Sequence, residues 1–162
     1  DATVFAEGMS DAKLDALFSE AGAAIGSAAA NLWGVHLPYG TYDISAIDET
    51  ARTTAVAKLK AVITSVMKHM SPKHFVIHPS TGTILTTGSD FAARKVQSRK
   101  SLRELQTHIA SCNSTYGLHT ILCVENCPRS VAYEAETMLA LLSGEGLEQV
   151  RVCLDTGHAL IR

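Results

Sequence analysis

The chain has 162 residues, a formal net charge of -2, seven histidines and four cysteines. That length supports one domain with a real hydrophobic core, yet it is well short of the ~250 residues of a complete eight-stranded (βα) barrel. The charge balance offers no broad cationic surface for nucleic acid, and no apolar run approaches the ~20 residues that span a bilayer, so a soluble domain with neither partner is expected.

The first residue is Asp, and no charged-then-apolar leader follows it. The expectation is a start that lies upstream and, by inference, a cytoplasmic setting. Leu14, Leu17, Phe18, Ala21 and Ile25 recur at helical spacing and predict an amphipathic helix from Ser10, its N-cap, toward Leu32. Leu32-Trp33-Gly34-Val35 then predicts a short strand that stops at His36-Leu37-Pro38-Tyr39-Gly40. A second helix is predicted from about Glu49 to His69, with Ala55, Leu59, Val62, Ile63 and Val66 on one stripe and Pro72 past its end. Phe75-Val76-Ile77 follows as a strand ending at His78-Pro79-Ser80. A loop from Thr81 to Gly88 leads to Ser89, the expected cap of a helix through Phe91, Leu102, Leu105 and Ile109 that ends near Gly117. Ile121-Leu122-Cys123-Val124 reads as a third strand stopping at Glu125-Asn126-Cys127-Pro128. Ser130 is the expected cap of a helix carrying Tyr133, Met138, Leu141 and Leu142, closed by Gly144 and Gly146. A last strand through Val150, Val152, Cys153 and Leu154 stops at Asp155-Thr156-Gly157-His158.

Four short, largely apolar strands alternating with four helices predict an α/β fold of parallel strands buried on both faces. Each strand ends in an ionisable or metal-ligating residue: His36, His78, Glu125 and Asp155, separated by 42, 47 and 30 residues. In a parallel barrel such ends share one rim, where barrel enzymes place their chemistry. A doubly wound open sheet alternates in the same way but concentrates its site at one switch point, and no glycine-rich GxGxxG or Walker loop follows any strand here. The barrel type is therefore expected.

Val35-His36-Leu37-Pro38-Tyr39-Gly40 with Asp43-Ile44-Ser45, then Val76-Ile77-His78-Pro79, Val124-Glu125-Asn126 and Leu154-Asp155-Thr156-Gly157-His158-Ala159, together resemble the sugar phosphate isomerase/epimerase family of the xylose-isomerase-like barrels. The related apurinic endonuclease barrels carry a similar ligand series. The resemblance implies a single (βα) TIM-barrel-type domain over 1–162, incomplete at about four βα units that correspond to the third to sixth strands, with at most a remnant of an earlier strand in the opening residues. A four-stranded arc has two unpaired edges and an exposed inner face, so the rest of the barrel is expected from a longer protein or from a second chain, and a homo-oligomer is compatible with that.

Glu125 is the foremost candidate, because a carboxylate ending an apolar strand is costly to bury unless paired, hydrogen-bonded or bound to a cation. Asp155 ends the next strand, and two converging carboxylates repel unless a cation or proton separates them. An N-cap role for Asp155 is the structural alternative. Metal ligation is expected of Glu125, Asp155 and His78, with Mn²⁺, Zn²⁺, Co²⁺ or Mg²⁺ all compatible with mixed His and carboxylate donors. The resemblance implies a small-molecule sugar substrate, with His36 and His158 contacting it and Glu125 and His158 in catalysis. The implied reaction is an aldose-ketose isomerisation or ketose epimerisation through a metal-bound enediolate. A zinc phosphodiesterase acting on abasic DNA, with His36, His78, Glu125, Asp155 and His158 in one cluster, is the alternative enzyme, and a metal-free barrel remnant the non-catalytic one. Cys112, Cys123, Cys127 and Cys153 are expected as reduced thiols, since no second ligand pair accompanies Cys123 and Cys127 in a zinc knuckle. His69, His74, His108 and His119 are expected at the surface, and Trp33 and Tyr39 as packing residues near the rim.

Overall fold

The structure, a computed structural model, describes residues 9–28, 30–81 and 89–160. The possible strand remnant in the opening residues and most of the loop before Ser89 lie outside the described residues. Helix α1 runs Asp11–Ser27, with Ser10 Oγ accepting from Lys13 N at 3.4 Å. It stops short of Leu32. Its one fully buried side chain is Leu14, and at Gly22 a Cβ would meet the His69 carbonyl oxygen at 2.5 Å, so glycine is what lets α1 lie against the next helix.

Strand β1 is Gly34–His36, followed by α2, Glu49–His69, whose first turn is capped by Asp48 Oδ1 accepting from Ala51 N at 2.8 Å. Strand β2 spans His74–Ile77, helix α3 Ser89–Tyr116 and strand β3 Ile121–Glu125. Ser89 is the first helical residue rather than the residue before the helix. Gly117, with φ +67°, reverses the chain after α3, in a conformation that favours glycine. The next helix, α4, is only Ala135–Leu142 with Glu134 as its N-cap, so the expected cap at Ser130 is four residues early. Ser130 Oγ accepts instead from Ala132 N at 3.2 Å within a turn that follows Arg129 at φ +58°. Thr137 Oγ1 takes the cap, accepting from Glu134 N at 3.1 Å. Strand β4, Arg151–Cys153, and the single turn α5, Thr156–Ala159, complete the described elements.

The four strands form one parallel sheet in the order β1-β2-β3-β4. Its register stacks His36, Val76, Cys123 and Arg151 in one row, and Glu125 beside Cys153 in the row two residues toward the carboxyl ends. Phe75, Ile77, Leu122 and Val124 alternate to the other face and join Leu59, Ile63, Val66, Leu102, Leu105 and Ile109 in the core beneath α2 and α3. Each such side chain contributes roughly 1.5–3 kcal/mol by leaving water.

Two expectations need correction. Burial on both faces holds for β2 and β3 but fails at β4, where Val152 and Leu154 are 48% and 67% exposed. Val152 and Leu154 line an open cavity whose other walls include Met138 and Leu139 of α4. The inner face, conversely, is less open than an isolated arc suggests, because Val76, Cys123 and Glu125 are buried.

Candidate metal centre

The carboxyl ends of the strands bring four of the five candidate residues together. Glu125 closes β3 and is 6% exposed. His36, the last residue of β1, places Nε2 2.9 Å from Glu125 Oε2, and His78, just beyond β2, places Nε2 3.3 Å from the same oxygen. On the other side, His158 Nδ1 lies 3.1 Å from Glu125 Oε1. One buried carboxylate is thus faced by three imidazoles from separate βα units.

His36 Nδ1 is 2.8 Å from the Leu37 carbonyl oxygen. A carbonyl only accepts, so Nδ1 carries the proton, and the neutral ring presents its Nε2 lone pair to the carboxylate. Two lone-pair bearers at 2.9 Å need a proton or a cation between them. Burial pushes His78 below the usual imidazole value, against the attraction of Glu125 and assisted by His36 and His158, which favours the neutral, ligating form. The Nδ1 atom of His158 is buried and, although 3.1 Å from Glu125 Oε1, is not aligned for a hydrogen bond with it or with any other described residue. A polar atom left unmatched inside a cluster of donors is what a divalent ion would satisfy. His36, His78 and Glu125 offer ligand atoms all within 4.8 Å of one another.

Asp155 lies at the margin of this group, within reach of both His158 and Glu125. It sits two residues beyond Cys153, the register partner of Glu125, and so reaches the rim one row further out. Its Oδ1 caps α5 by accepting from His158 N at 2.9 Å, the structural role weighed for it, while Oδ2 is 3.7 Å from His158 Nδ1. Hydrogen bonding, first from the His158 backbone and then from the Gly157 backbone and the Glu125 side chain, lowers the Asp155 carboxyl from its ordinary value. His36, expected to contact substrate, lies within the tight donor group.

Other residues at the rim were legible only in part. Tyr39 is stacked on His78 with ring centroids 4.5 Å apart and meets His36 edge-on at 5.3 Å, so it braces both histidines. Asn126, in the Val124-Glu125-Asn126 motif, takes on a structural role. Its amide donates to the Asp155 carbonyl at 3.0 Å and accepts from Asp155 N at 2.6 Å, tying the ends of β3 and β4 together. Cys127 is buried in a second donor group with Glu125 and His158. Burial, then the nearby Glu125 and Asp155 carboxylates, raise its thiol well above the usual range. A cavity of about 220 Å³ opens here, lined by Tyr39, His78, Ser80, Cys127, Ser130 and His158 among others.

The remaining aromatic and histidine expectations divide. All four cysteines are free, as expected. Trp33 precedes β1 at the opposite end of the strands from the rim and is 72% exposed. His69, His74 and His108 are half-buried rather than superficial: His69 Nε2 pairs with Asp15 Oδ1 at 3.0 Å, His74 meets Trp33 edge-on, and His108 Nε2 lies 2.8 Å from Thr64 Oγ1. His119 is exposed.

Parallel strands alternating with helices, ligating residues at one set of strand ends and a buried carboxylate between imidazoles define a (βα)-barrel type of domain. The family model for xylose isomerase-like TIM barrels matches residues 4–162, and the chain belongs to that family. No curated protein matches it in sequence. Among solved structures it is similar to a 3-keto-D-glucoside 4-epimerase from E. coli in its apo form, at 16% identity and TM-score 0.74 over 92% of this chain and 57% of that one. It is similar to a D-psicose 3-epimerase crystallised in the presence of D-fructose, at 20% identity and TM-score 0.70 over 99% of this chain and 53% of that one. A D-tagatose 3-epimerase-like protein aligns at 17% identity and TM-score 0.67 over 88% of this chain and 51% of that one. The chain therefore spans just over half the length of the structures it matches, and at these identities the likeness is one of fold. No helix among the described residues is long and apolar enough to cross a membrane.

Proposed function

We propose that this rim belongs to a metal-dependent isomerase or epimerase of sugars or sugar phosphates. The observation that carries the reading is Glu125, a buried carboxylate ending a core strand and faced by His36, His78 and His158. His36, His78 and Glu125 would hold the ion, with Asp155 one row further along the rim. A divalent cation such as Mn²⁺, Zn²⁺, Co²⁺ or Mg²⁺ bound there would polarise a carbonyl and its neighbouring hydroxyl, making the adjacent C–H acidic.

Glu125 takes the proton from that carbon and returns it. Inversion at that carbon needs a second acid on the opposite face to deliver the proton, a group that would come from outside this chain. Return by Glu125 to the neighbouring carbon on its own face exchanges aldose and ketose instead. The enediolate between these steps needs donors held in place, and His158, anchored through its backbone by Asp155 Oδ1 and by Tyr133 Oη, which donates to its carbonyl at 3.1 Å, orients a sugar oxygen. Ser80 and Ser130, on the wall of the adjoining cavity, suit hydroxyl groups. The sugar epimerase names of the three similar structures support the substrate class.

The second reading, hydrolysis of abasic DNA, draws support from the two donor groups that share Glu125, since paired metals suit phosphodiester cleavage. The net charge of -2 argues against a DNA groove. The deciding experiment follows ketoses and aldoses in D₂O by NMR with the metal-loaded chain. Deuterium entering at the carbon beside the carbonyl, and lost in Glu125→Gln, supports the proposal. Nicking of abasic DNA without sugar exchange would overturn it.

A further inference from the structure

The geometry points to a second cation subsite formed by Glu125, Cys127 and His158, sharing Glu125 with the His36–His78 pair and selective, through its sulfur donor, for a thiophilic divalent ion such as Zn²⁺ or Co²⁺ over Mg²⁺. This inference rests on the proposed reading of the rim as a cation site and adds to it which ion the rim selects. The Glu125 oxygen, the Cys127 sulfur and the His158 nitrogen lie within 4.8 Å of one another. Donors on one tetrahedral zinc are separated by roughly 3.3–3.8 Å, so an ion needs side-chain adjustments of about an ångström and no rearrangement of the strands.

The loop is built to hold Cys127 there. Cys127 N donates to the Glu125 carbonyl at 3.1 Å, folding the residue back over the strand end, and Ser130 N donates to the Cys127 carbonyl at 3.3 Å. Asn126 fixes the turn against β4 through its two bonds to the Asp155 backbone. His158 arrives from the neighbouring unit with a buried Nδ1 that faces Glu125 Oε1 at 3.1 Å without forming an aligned hydrogen bond to it or to any other described residue. Cys127 and His158 also border the cavity of about 220 Å³, which leaves room for an ion and its solvent ligands. A thiol held between a carboxylate and an imidazole differs from the inert thiols of a core. Cys112 has a hydrogen-bonding neighbour in His108, yet it sits on α3 against α2, away from the strand ends. Soft sulfur with imidazole favours Zn²⁺ or Co²⁺, whereas Mg²⁺ takes oxygen ligands and keeps its water. On binding, the thiol proton passes to solvent and the sulfur lone pair to the ion.

Cobalt(II) titration of the full chain tests this, because sulfur ligation produces a charge-transfer band in the near ultraviolet while nitrogen and oxygen ligation gives only weak visible bands. The expected result is a charge-transfer band in the wild type that excess Mg²⁺ fails to remove. Cys127→Ser loses the band but retains cobalt at the His36–His78–Glu125 group, with metal content falling from two ions to one. X-ray absorption on the cobalt-loaded wild type, which needs no variant to fold, is expected to show one sulfur neighbour. Cobalt bound with no sulfur neighbour, or a band that persists in Cys127→Ser, overturns the subsite and leaves the first donor group standing. A wild type that binds no cobalt at all brings down the cation reading of the rim as well.

Discussion

Among the described residues Arg52 and Glu125 are the buried side chains of the charged types, and their surroundings differ in kind. Arg52, 1% exposed on α2, is met by fixed opposite charge: its Nε and Nη2 donate to Glu49 at 3.0 and 2.9 Å, Nη2 also lies 2.9 Å from Glu104 Oε1, and Nη1 donates to Ser101 Oγ at 2.9 Å. Glu125, 6% exposed on β3, is met by three imidazoles, of which His36 has its proton committed to a backbone carbonyl. The first arrangement is complete as it stands and clamps α2 to α3. The second is complete only with a proton or a cation added. A buried charge with permanent partners serves the fold, and one whose partners are themselves ligands serves chemistry.

Breaking each centre separately tests that contrast. Arg52→Ala removes a fully buried side chain and leaves two carboxylates that share a vanished partner, so a loss of about 3 kcal/mol is expected in urea denaturation, the same with and without divalent ion. Glu125→Gln is expected to behave in the opposite way. It leaves metal-free stability nearly unchanged but forfeits the increment that ligand binding gives the wild type, about 2.7 kcal/mol at a hundredfold excess over the dissociation constant. Thermal melts of both variants with Zn²⁺ or Co²⁺ and with chelator separate the two. If Glu125→Gln proves as destabilised as Arg52→Ala in chelator, the carboxylate is a structural brace and the contrast collapses.

A smaller effect is expected at Asn126, which links the two strand ends carrying Glu125 and Asp155. Asn126→Ala removes both amide bonds to the Asp155 backbone and should cost about 2 kcal/mol. Because the loop also presents Cys127, the variant should weaken metal affinity by about 10-fold, as loss of a supporting group does at other metal sites. Equilibrium dialysis beside a urea titration would reveal whether stability and affinity fall together.

How far these features were legible in the sequence depends on how local their causes are. The second helix was readable to the residue because Asp48 caps it from the adjacent position and its apolar stripe is continuous. The helix after β3 was not, because its cap is the Glu134–Thr137 pair, while Ser130, the conventional signal, closes a turn of its own. At the rim, the strand-end rule found His36, His78 and Glu125 because a parallel sheet aligns such ends automatically. It placed Asp155 level with Glu125, whereas the register puts Cys153 there and Asp155 two residues beyond, since sequence spacing does not fix where an edge strand of three residues ceases to pair. Cys127 carries no ligand signal in the sequence for want of a second cysteine pair, and its closeness to His158 becomes visible only once β4 lies beside β3.

The weakest expected effect probes the outer partner of Arg52 through pH. Hydrogen bonds from Arg52, then from Lys100, lower the Glu49 carboxyl from its ordinary 4.5 to about 2. A carboxyl depressed by folding stabilises the native state above its unfolded value, and that stabilisation disappears as pH falls from about 4.5 toward about 2. Glu49 is exposed to solvent, which screens both contacts, so the expected change is a modest flattening of the acid limb in Glu49→Gln rather than a shift of the whole curve. Above pH 6 the variant should lose a small, constant amount of stability, because Arg52 keeps Glu104 and Ser101. An acid limb identical to that of the wild type would mean that Glu104 alone compensates Arg52, and that the clamp between α2 and α3 tolerates the loss of one of its two carboxylates.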